Sequence, residues 1–225
     1  MSGSLPKAYR EGCVDFYGRK FKVTPDVLIP RPETEMIVDS VLSLSGKAYL
    51  PGVKAPKAEV DCDNLTIVDV GTGSGCIATT LQLELPGTKV FAVDISEKAL
   101  DVAKENAEIL GADVTFSRSD LLSGVASDNV NGDLIIVANL PYVDREWEWL
   151  DREALSFEPE EALYAEDGGL ALYKRLFREV GGISSGKAFV VIEADPCQHE
   201  ELIKCAGDLG FRHIETRGFA LVFTC

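Results

Sequence analysis

A short apolar run, Leu65-Thr66-Ile67-Val68-Asp69-Val70, ends in Gly71-Thr72-Gly73-Ser74-Gly75, and a second, Lys89-Val90-Phe91-Ala92-Val93-Asp94, follows one helix length later. Runs of this length, rich in β-branched residues and bounded by turn residues, read as buried strands. Cys76 to Leu85 between them reads as a helix stopped by Pro86-Gly87. The alternation continues. Ser96 suits a helix N-cap, Ala99, Leu100, Ala103, Ala107 and Leu110 share one helical face, and Gly111 suits the stop. Val114–Phe116 and Leu134–Ala138 read as the third and fourth strands, Gly169 to Val180 as a helix, Ala188–Ile192 as the fifth strand, and Glu200 to Leu209 as a helix ending at Gly210. Phe211–Thr216 and Phe219–Thr224 stand too close for a helical crossover, so they pair antiparallel. Strict alternation implies a parallel sheet covered on both faces. The closing hairpin makes it a mixed α/β sheet of seven strands, Rossmann-like in type. In such sheets ligands lie at the carboxyl ends of the strands, where the strand order reverses.

Upstream, Phe16–Val23 alternates as a strand or hairpin arm, and Val27-Leu28-Ile29-Pro30-Arg31-Pro32 reads as an extended stop. Met36, Ile37, Val41, Leu42 and Leu44 then fall at helical spacing, behind a proline and acids that suit a helix start. Residues 45–64 carry Gly46, Pro51, Gly52 and Pro56 and no apolar period. That composition marks a linker, and divides the chain into an N-terminal extension, 1–64, and a second unit, 65–225.

The formal charge of −15 bears on partners. Nucleic-acid binding draws much of its affinity from Lys and Arg neutralising phosphates, so direct nucleic-acid binding is not expected. No apolar run is long enough to span a bilayer, and Met1–Lys7 lacks a signal-peptide core. The six cysteines are scattered, with no Cys-x-x-Cys and only two histidines, which argues against a metal site and for reduced thiols in the cytoplasm.

Four groups stand at successive strand ends: the glycine turn 71–75, Asp94, Asp120 and Asn139. The glycines let the backbone turn sharply and approach a ligand, in front of the free N–H groups of a helix start. A phosphate-binding P-loop would need Gly-Lys-Ser/Thr, which is absent, and the dinucleotide fingerprint would need Gly where Cys76 stands. Asp94 suits a ribose diol. Asp120 is a loop acid that can accept from an adenine amino group, with Leu121 beside it. Cys76, at a helix start with no histidine near in sequence, reads as packing. Asn139-Leu140-Pro141-Tyr142 taken alone reads first as a strand-ending turn, with a clamp for a planar polar group as the alternative that the upstream strand-end groups favour. Residues 144–167 are strongly acidic and hold Trp147 and Trp149, either as a solvated surface or as a lid or protein-binding edge.

The Gly-x-Gly-x-Gly turn after an acidic strand end resembles the S-adenosylmethionine (SAM) loop of class I methyltransferases. Together with Ile29-Pro30-Arg31-Pro32-Glu33-Thr34-Glu35 and Asn139-Leu140-Pro141-Tyr142, it resembles the HemK/PrmC family, protein-glutamine N5-methyltransferases that modify peptide chain release factors. Phe16-Tyr17-Gly18, Phe157-Glu158-Pro159, Ala162-Leu163 and Asp167-Gly168-Gly169-Leu170 are similar to family patterns too. The resemblance implies a class I SAM-dependent methyltransferase fold and SAM as cofactor. Gly71, Thr72, Gly73, Ser74 and Gly75 would hold its methionine part, Asp94 its ribose, and Asp120 and Leu121 its adenine, with Asn139 also counted among the cofactor-binding residues. Asn139, Leu140, Pro141 and Tyr142 would hold the substrate glutamine, with the Asn139 side-chain oxygen and the Leu140 carbonyl accepting its two amide N–H groups and Tyr142 packing on the amide plane.

Three departures stand out. The family pattern is Asn-Pro-Pro-Tyr, where this chain has Leu140; it carries an N-terminal helical domain, for which 225 residues leave no room; and it ends with an arginine that the segment 218–225 lacks. Rival readings are a nucleic-acid amino-methyltransferase, a non-catalytic SAM-binding module that needs a partner, and a small-molecule methyltransferase.

Overall fold

In the computed structural model, residues 5–47, 57–126, 130, 132–180, 183 and 186–225 are described. The middle of the linker reading over 45–64, residues 48–56, falls outside them. Seven strands form the main sheet: β3 (Leu65–Val70), β4 (Lys89–Asp94), β5 (Val114–Arg118), β6 (Asp133–Ala138), β7 (Ala188–Glu193), β8 (Arg212–Arg217) and β9 (Ala220–Thr224). Their order is β5-β4-β3-β6-β7-β9-β8. The first five are mutually parallel, and β9 pairs antiparallel with both β7 and β8. This is the mixed sheet with a closing hairpin that the alternation implies. The chain runs outward from β3 through β5 and then returns to β6 on the other side, so the order reverses at β3 and β6.

The strand period of two sorts the core into two halves. Along β6, Leu134, Ile136 and Ala138 join one apolar cluster, while Ile135 and Val137 join the other. The first half packs under α7 (Ala171–Val180) and α8 (His199–Asp208), through Tyr173, Leu176, Phe177 and Leu202. The second packs under α2 (Glu35–Leu44) and α3 (Cys76–Glu84), through Ile37, Val41 and Leu81. Every residue of β3 and of β7 is buried, as strands covered on both faces require. α4 (Glu97–Leu110) starts at Ser96, whose hydroxyl accepts from Ala99 N at 3.3 Å, and stops at left-handed Gly111.

The N-terminal region differs from the sequence reading. A helix, α1 (Lys7–Glu11), precedes a hairpin of β1 (Cys13–Phe16) and β2 (Arg19–Lys22). The run 16–23 is therefore not one strand: Tyr17 and Gly18, at φ 49° and 72°, turn it back. Two positive φ values are what a tight two-residue hairpin needs, and tyrosine hides the signal that Asn or Gly would give. The hairpin docks on α2, where Glu35 Oε1 accepts from Tyr17 N at 2.7 Å and Asp39 Oδ1 from Tyr17 Oη at 2.9 Å. From there residues 23–34 cross the carboxyl ends of the strands, held by Val23, Val27 and Ile29 against Tyr9, Ala99 and Val102.

Candidate active site

The glycine turn is fixed from both sides. Val93 O accepts from Gly71 N at 2.8 Å and from Thr72 N at 3.0 Å. Gly71, Gly73 and Gly75 all have positive φ. A Cβ on Gly71 would lie 2.9 Å from Leu140 Cδ2, and one on Gly75 would lie 2.9 Å from Ala103 Cβ. Gly73 faces open space instead. Backbone needs thus account for all three glycines, and close packing for two.

Asp69, fully buried in β3, holds the turn from below: its Oδ2 accepts from Thr72 Oγ1 at 2.6 Å and from Ala78 N at 3.1 Å, while Oδ1 has no partner among the described residues. Burial pushes its pKa up to about 7, against the two hydrogen bonds that lower it. The unfolded chain ionises this carboxyl near 3.8. A raised folded pKa contributes stability that is present below about pH 4 and lost as pH rises through about 7. Urea midpoints should therefore show wild type losing ground to Asp69→Asn between about pH 5 and pH 8, by an amount on the order of a few kcal/mol. A gap between the two that stays constant over that range contradicts this.

At the end of β4, Asp94 Oδ2 accepts from Gly73 N and Oδ1 from Ser96 N, both at 2.9 Å. Burial raises its pKa and these backbone donors oppose the rise. Both oxygens keep acceptor capacity. Asp120 pairs with Arg175, Oδ2 to Nη2 at 2.9 Å. Leu121 beside it is buried with φ 48°.

These strand-end groups surround one cavity of about 480 Å³. Its walls are the crossing segment at Val27, Pro30 and Thr34, the glycine turn, Asp94 and Ile95, Ser119–Leu121, Asn139–Pro141, and a segment around Ala162 and Tyr164. Of the residues the sequence singled out, Gly71, Thr72, Gly73, Ser74, Asp94, Asp120, Leu121, Asn139, Leu140 and Pro141 line it; Gly75 and Tyr142 lie behind the wall. Ile95, 57 % exposed, offers the cavity an apolar side chain. Cys76 is buried, and desolvation pushes its thiol up to about 12, in keeping with packing.

The tetrapeptide after β6 is braced from several sides. Asn139 Nδ2 donates to Thr34 Oγ1 at 3.1 Å. Leu140 N donates to Tyr173 Oη at 3.2 Å, and that hydroxyl donates to Glu193 O, with Leu140 O 3.3 Å away. A proline at 140 could not supply that N–H. The hydrogen bond to Tyr173 is the restraint that stands in for a ring. Tyr142 Oη donates to Glu193 Oε1 at 3.1 Å, and Tyr142 O accepts from Gln198 Nε2 at 2.8 Å.

Sequence reasoning missed these braces. Thr34, Glu158, Tyr173, Glu193 and Gln198 hold the site across long stretches of chain. Arg31 Nη2 pairs with Glu158 Oε1, whose other oxygen accepts from Ile29 N at 3.0 Å. That joins the Arg-Pro-Glu stretch to Phe157-Glu158-Pro159. Glu193 did leave a signal, since it is an acid closing an apolar strand just as Asp94 is. The acidic stretch 144–167 folds into α5 (Arg152–Leu155) and α6 (Glu160–Leu163). Trp147 and Trp149 stack at 5.1 Å, outside the cavity wall, with Trp149 65 % exposed.

The methyltransferase small domain family matches residues 56–152. The chain is 42 % identical to the release factor glutamine methyltransferase of Enterococcus faecalis, over 77 % of this chain and 57 % of that protein. It is 44 % identical to that of Bacillus subtilis, over 84 % of this chain and 62 % of that one. The chain thus spans less than two thirds of the length of either relative. Among solved structures, a ribosomal protein L11 methylase from Lactobacillus delbrueckii subsp. bulgaricus is 19 % identical with a TM-score of 0.54, covering 86 % of this chain and 78 % of that one, a likeness of fold. With a class I methyltransferase sheet and this identity over most of its own length, the chain is similar throughout the matched span to release factor glutamine methyltransferases.

Proposed function

We propose that this chain transfers a methyl group from SAM to the side-chain amide nitrogen of a glutamine in a peptide chain release factor, the glutamine of its Gly-Gly-Gln motif. The observation that carries the reading is that one cavity is bounded at once by the glycine turn, Asp94, Asp120 and the Asn-Leu-Pro end of β6. Its volume falls in the range of about 300–1,000 Å³ common for small-molecule sites. The residues fit SAM. Gly73 leaves the turn open on the cavity side, Asp94 keeps acceptor capacity for a diol, and Ile95 and Leu121 offer apolar surface to a purine. Asp120, held by Arg175, retains an oxygen for an amino group.

When bound, SAM supplies an electrophilic methyl group. The chain's own task is alignment. An amide nitrogen is a weak nucleophile because its lone pair is delocalised. The nitrogen end of the Asn139 amide is committed to Thr34, so its oxygen is left to accept one N–H of the substrate amide. The Leu140 carbonyl accepts the other. Tyr142, tied at its hydroxyl to Glu193 and at its carbonyl to Gln198, fixes the turn from behind the cavity wall rather than packing on the substrate amide. Two acceptors on one –NH2 group favour a pyramidal nitrogen whose lone pair is free. Positioning of this kind supplies roughly 7–11 kcal/mol in favourable cases. No base is needed beforehand, because the methylated nitrogen can release its proton afterwards. The same reading puts the chain in the cytoplasm with its protein substrate.

The test is titration calorimetry with SAM, followed by transfer of labelled methyl from SAM to a purified release factor. Saturable SAM binding with stoichiometric labelling supports the reading. Labelling of an RNA or DNA amino group, or binding of SAM with no transfer to the release factor, overturns it.

A further inference from the structure

We infer that Glu193 is a positioning residue that fixes which end of the Asn139 side chain faces the cavity, and that it thereby makes the site accept an –NH2 group and refuse a carboxylate. The inference deepens, and rests on, the amide-methylation reading above.

Glu193 closes β7 and is 2 % exposed. Its Oε1 accepts from Tyr142 Oη at 3.1 Å, while Oε2 is buried with no hydrogen-bond partner among the described residues. Buried acceptors are rarely left unmatched, so this oxygen needs a reason. Thr34, also 2 % exposed, accepts from Asn139 Nδ2 at 3.1 Å. A hydroxyl that accepts there must send its own proton elsewhere. Burial raises the Glu193 pKa; the neighbouring polar groups of Thr34, Tyr142 and Asn139 oppose the rise, and the charge of Glu33 adds to it. Thr34, Tyr142 and Asn139 therefore surround this one carboxylate.

A carboxylate can only accept. Whatever faces it must turn a donor toward it. Tyr142 does so with its O–H; Thr34, whose oxygen accepts from Asn139, has an O–H to turn that way, and Asn139 can do so only with its nitrogen. The Asn139 amide has donors at one end and an acceptor at the other, so its oxygen is the end that remains for the cavity. An oxygen there attracts the N–H groups of a glutamine amide and repels the carboxylate of a glutamate. Replacing Glu193 by glutamine keeps shape and burial but admits a donor at the same place. Asn139 can then turn over, and the acceptor that selects the substrate is no longer fixed.

The experiment compares wild type with Glu193→Gln, Thr34→Val and Thr34→Ser. It measures kcat and KM on a release factor, SAM affinity by calorimetry, and competition by Gly-Gly-Gln and Gly-Gly-Glu peptides. Solvent exchange of the Asn139 side-chain N–H groups is followed by NMR, without substrate or SAM. We expect Glu193→Gln and Thr34→Val to lower kcat by about 10- to 100-fold, the scale of a hydrogen bond to a charged group. SAM affinity should stay within about 2-fold, the preference for the glutamine peptide should fall about 10-fold or more, and Asn139 exchange should quicken. Thr34→Ser, which keeps the hydroxyl, should restore wild-type behaviour. The inference is overturned if Glu193→Gln keeps its kcat and its peptide preference, if SAM affinity falls in step with kcat, or if Asn139 exchange is unchanged. If wild type labels no release factor, the function proposed above fails, and the exchange measurement still decides the role of Glu193.

Discussion

Asn139→Ala should lower methyl transfer to a release factor by about 10²- to 10³-fold, the loss that follows removal of one preorganised polar group at a reacting centre. SAM affinity should be nearly unchanged. The side chain stands at the carboxyl end of β6, and its nitrogen is held by Thr34, so truncation removes the acceptor turned toward the cavity. The groups proposed to hold the cofactor, the glycine turn, Asp94 and Asp120, lie at the carboxyl ends of β3, β4 and β5 and do not depend on it. Single-turnover rates measured beside calorimetry separate the two effects, since an interaction made only in the transition state lowers kcat and leaves cofactor binding alone. A variant that turns over normally would remove Asn139 from the reaction.

The second large effect lies behind the site. Gly169→Ala should destabilise the fold by about 2–5 kcal/mol, from the left-handed backbone and from overpacking together. Gly169 has φ +85°, and a Cβ there would lie 1.9 Å from Tyr142 O and 2.4 Å from Gln198 Nε2. That Gln198 amide bridges Tyr142 O at 2.8 Å and Gly168 O at 2.7 Å. The glycine is thus the space through which the start of α7, the turn at the start of α8 and the tetrapeptide meet. Relief by movement would pull Tyr142 off Glu193, so activity should fall along with stability. Urea unfolding checks the first part, and a midpoint within experimental error of wild type contradicts it. At Gly73 the added Cβ meets nothing within 4 Å, so the same change there carries only the backbone part of the cost.

The contrast between these two residues shows what a sequence can disclose. Strands β3, β4, β6 and β7 were legible because each is an apolar run bounded by turn residues, and β3, β6 and β7 are almost wholly buried on both faces. Their parallel direction followed from strict alternation, and the antiparallel closing pair from a short final connection. Asn139 and Asp94 stood out because each closes an apolar strand, and Asp120, in a loop after an exposed strand, stood out only from its place in the series of strand ends. The braces were not. Thr34 meets Asn139 across 105 residues, and Arg31 meets Glu158 across 127. No local spacing encodes such pairs, because the sheet brings them together only after it has formed. The hairpin turn at Tyr17-Gly18 escaped for the opposite reason: the contact is local, but tyrosine in a left-handed conformation is held there by Glu35 and Asp39 rather than by its own preference. Leu140 shows the same limit. Judged by pattern it loses a proline, whereas in the fold its N–H gains the hydroxyl of Tyr173.

The central claim is that this cavity methylates an amide. The most direct test incubates the chain with labelled SAM and either a release factor or the same factor with its Gly-Gly-Gln glutamine changed to glutamate, and then maps the label by peptide mass spectrometry. The account predicts one methyl group on the side-chain nitrogen of that glutamine and none on the glutamate variant. Label at another residue, or equal label on both proteins, would contradict it.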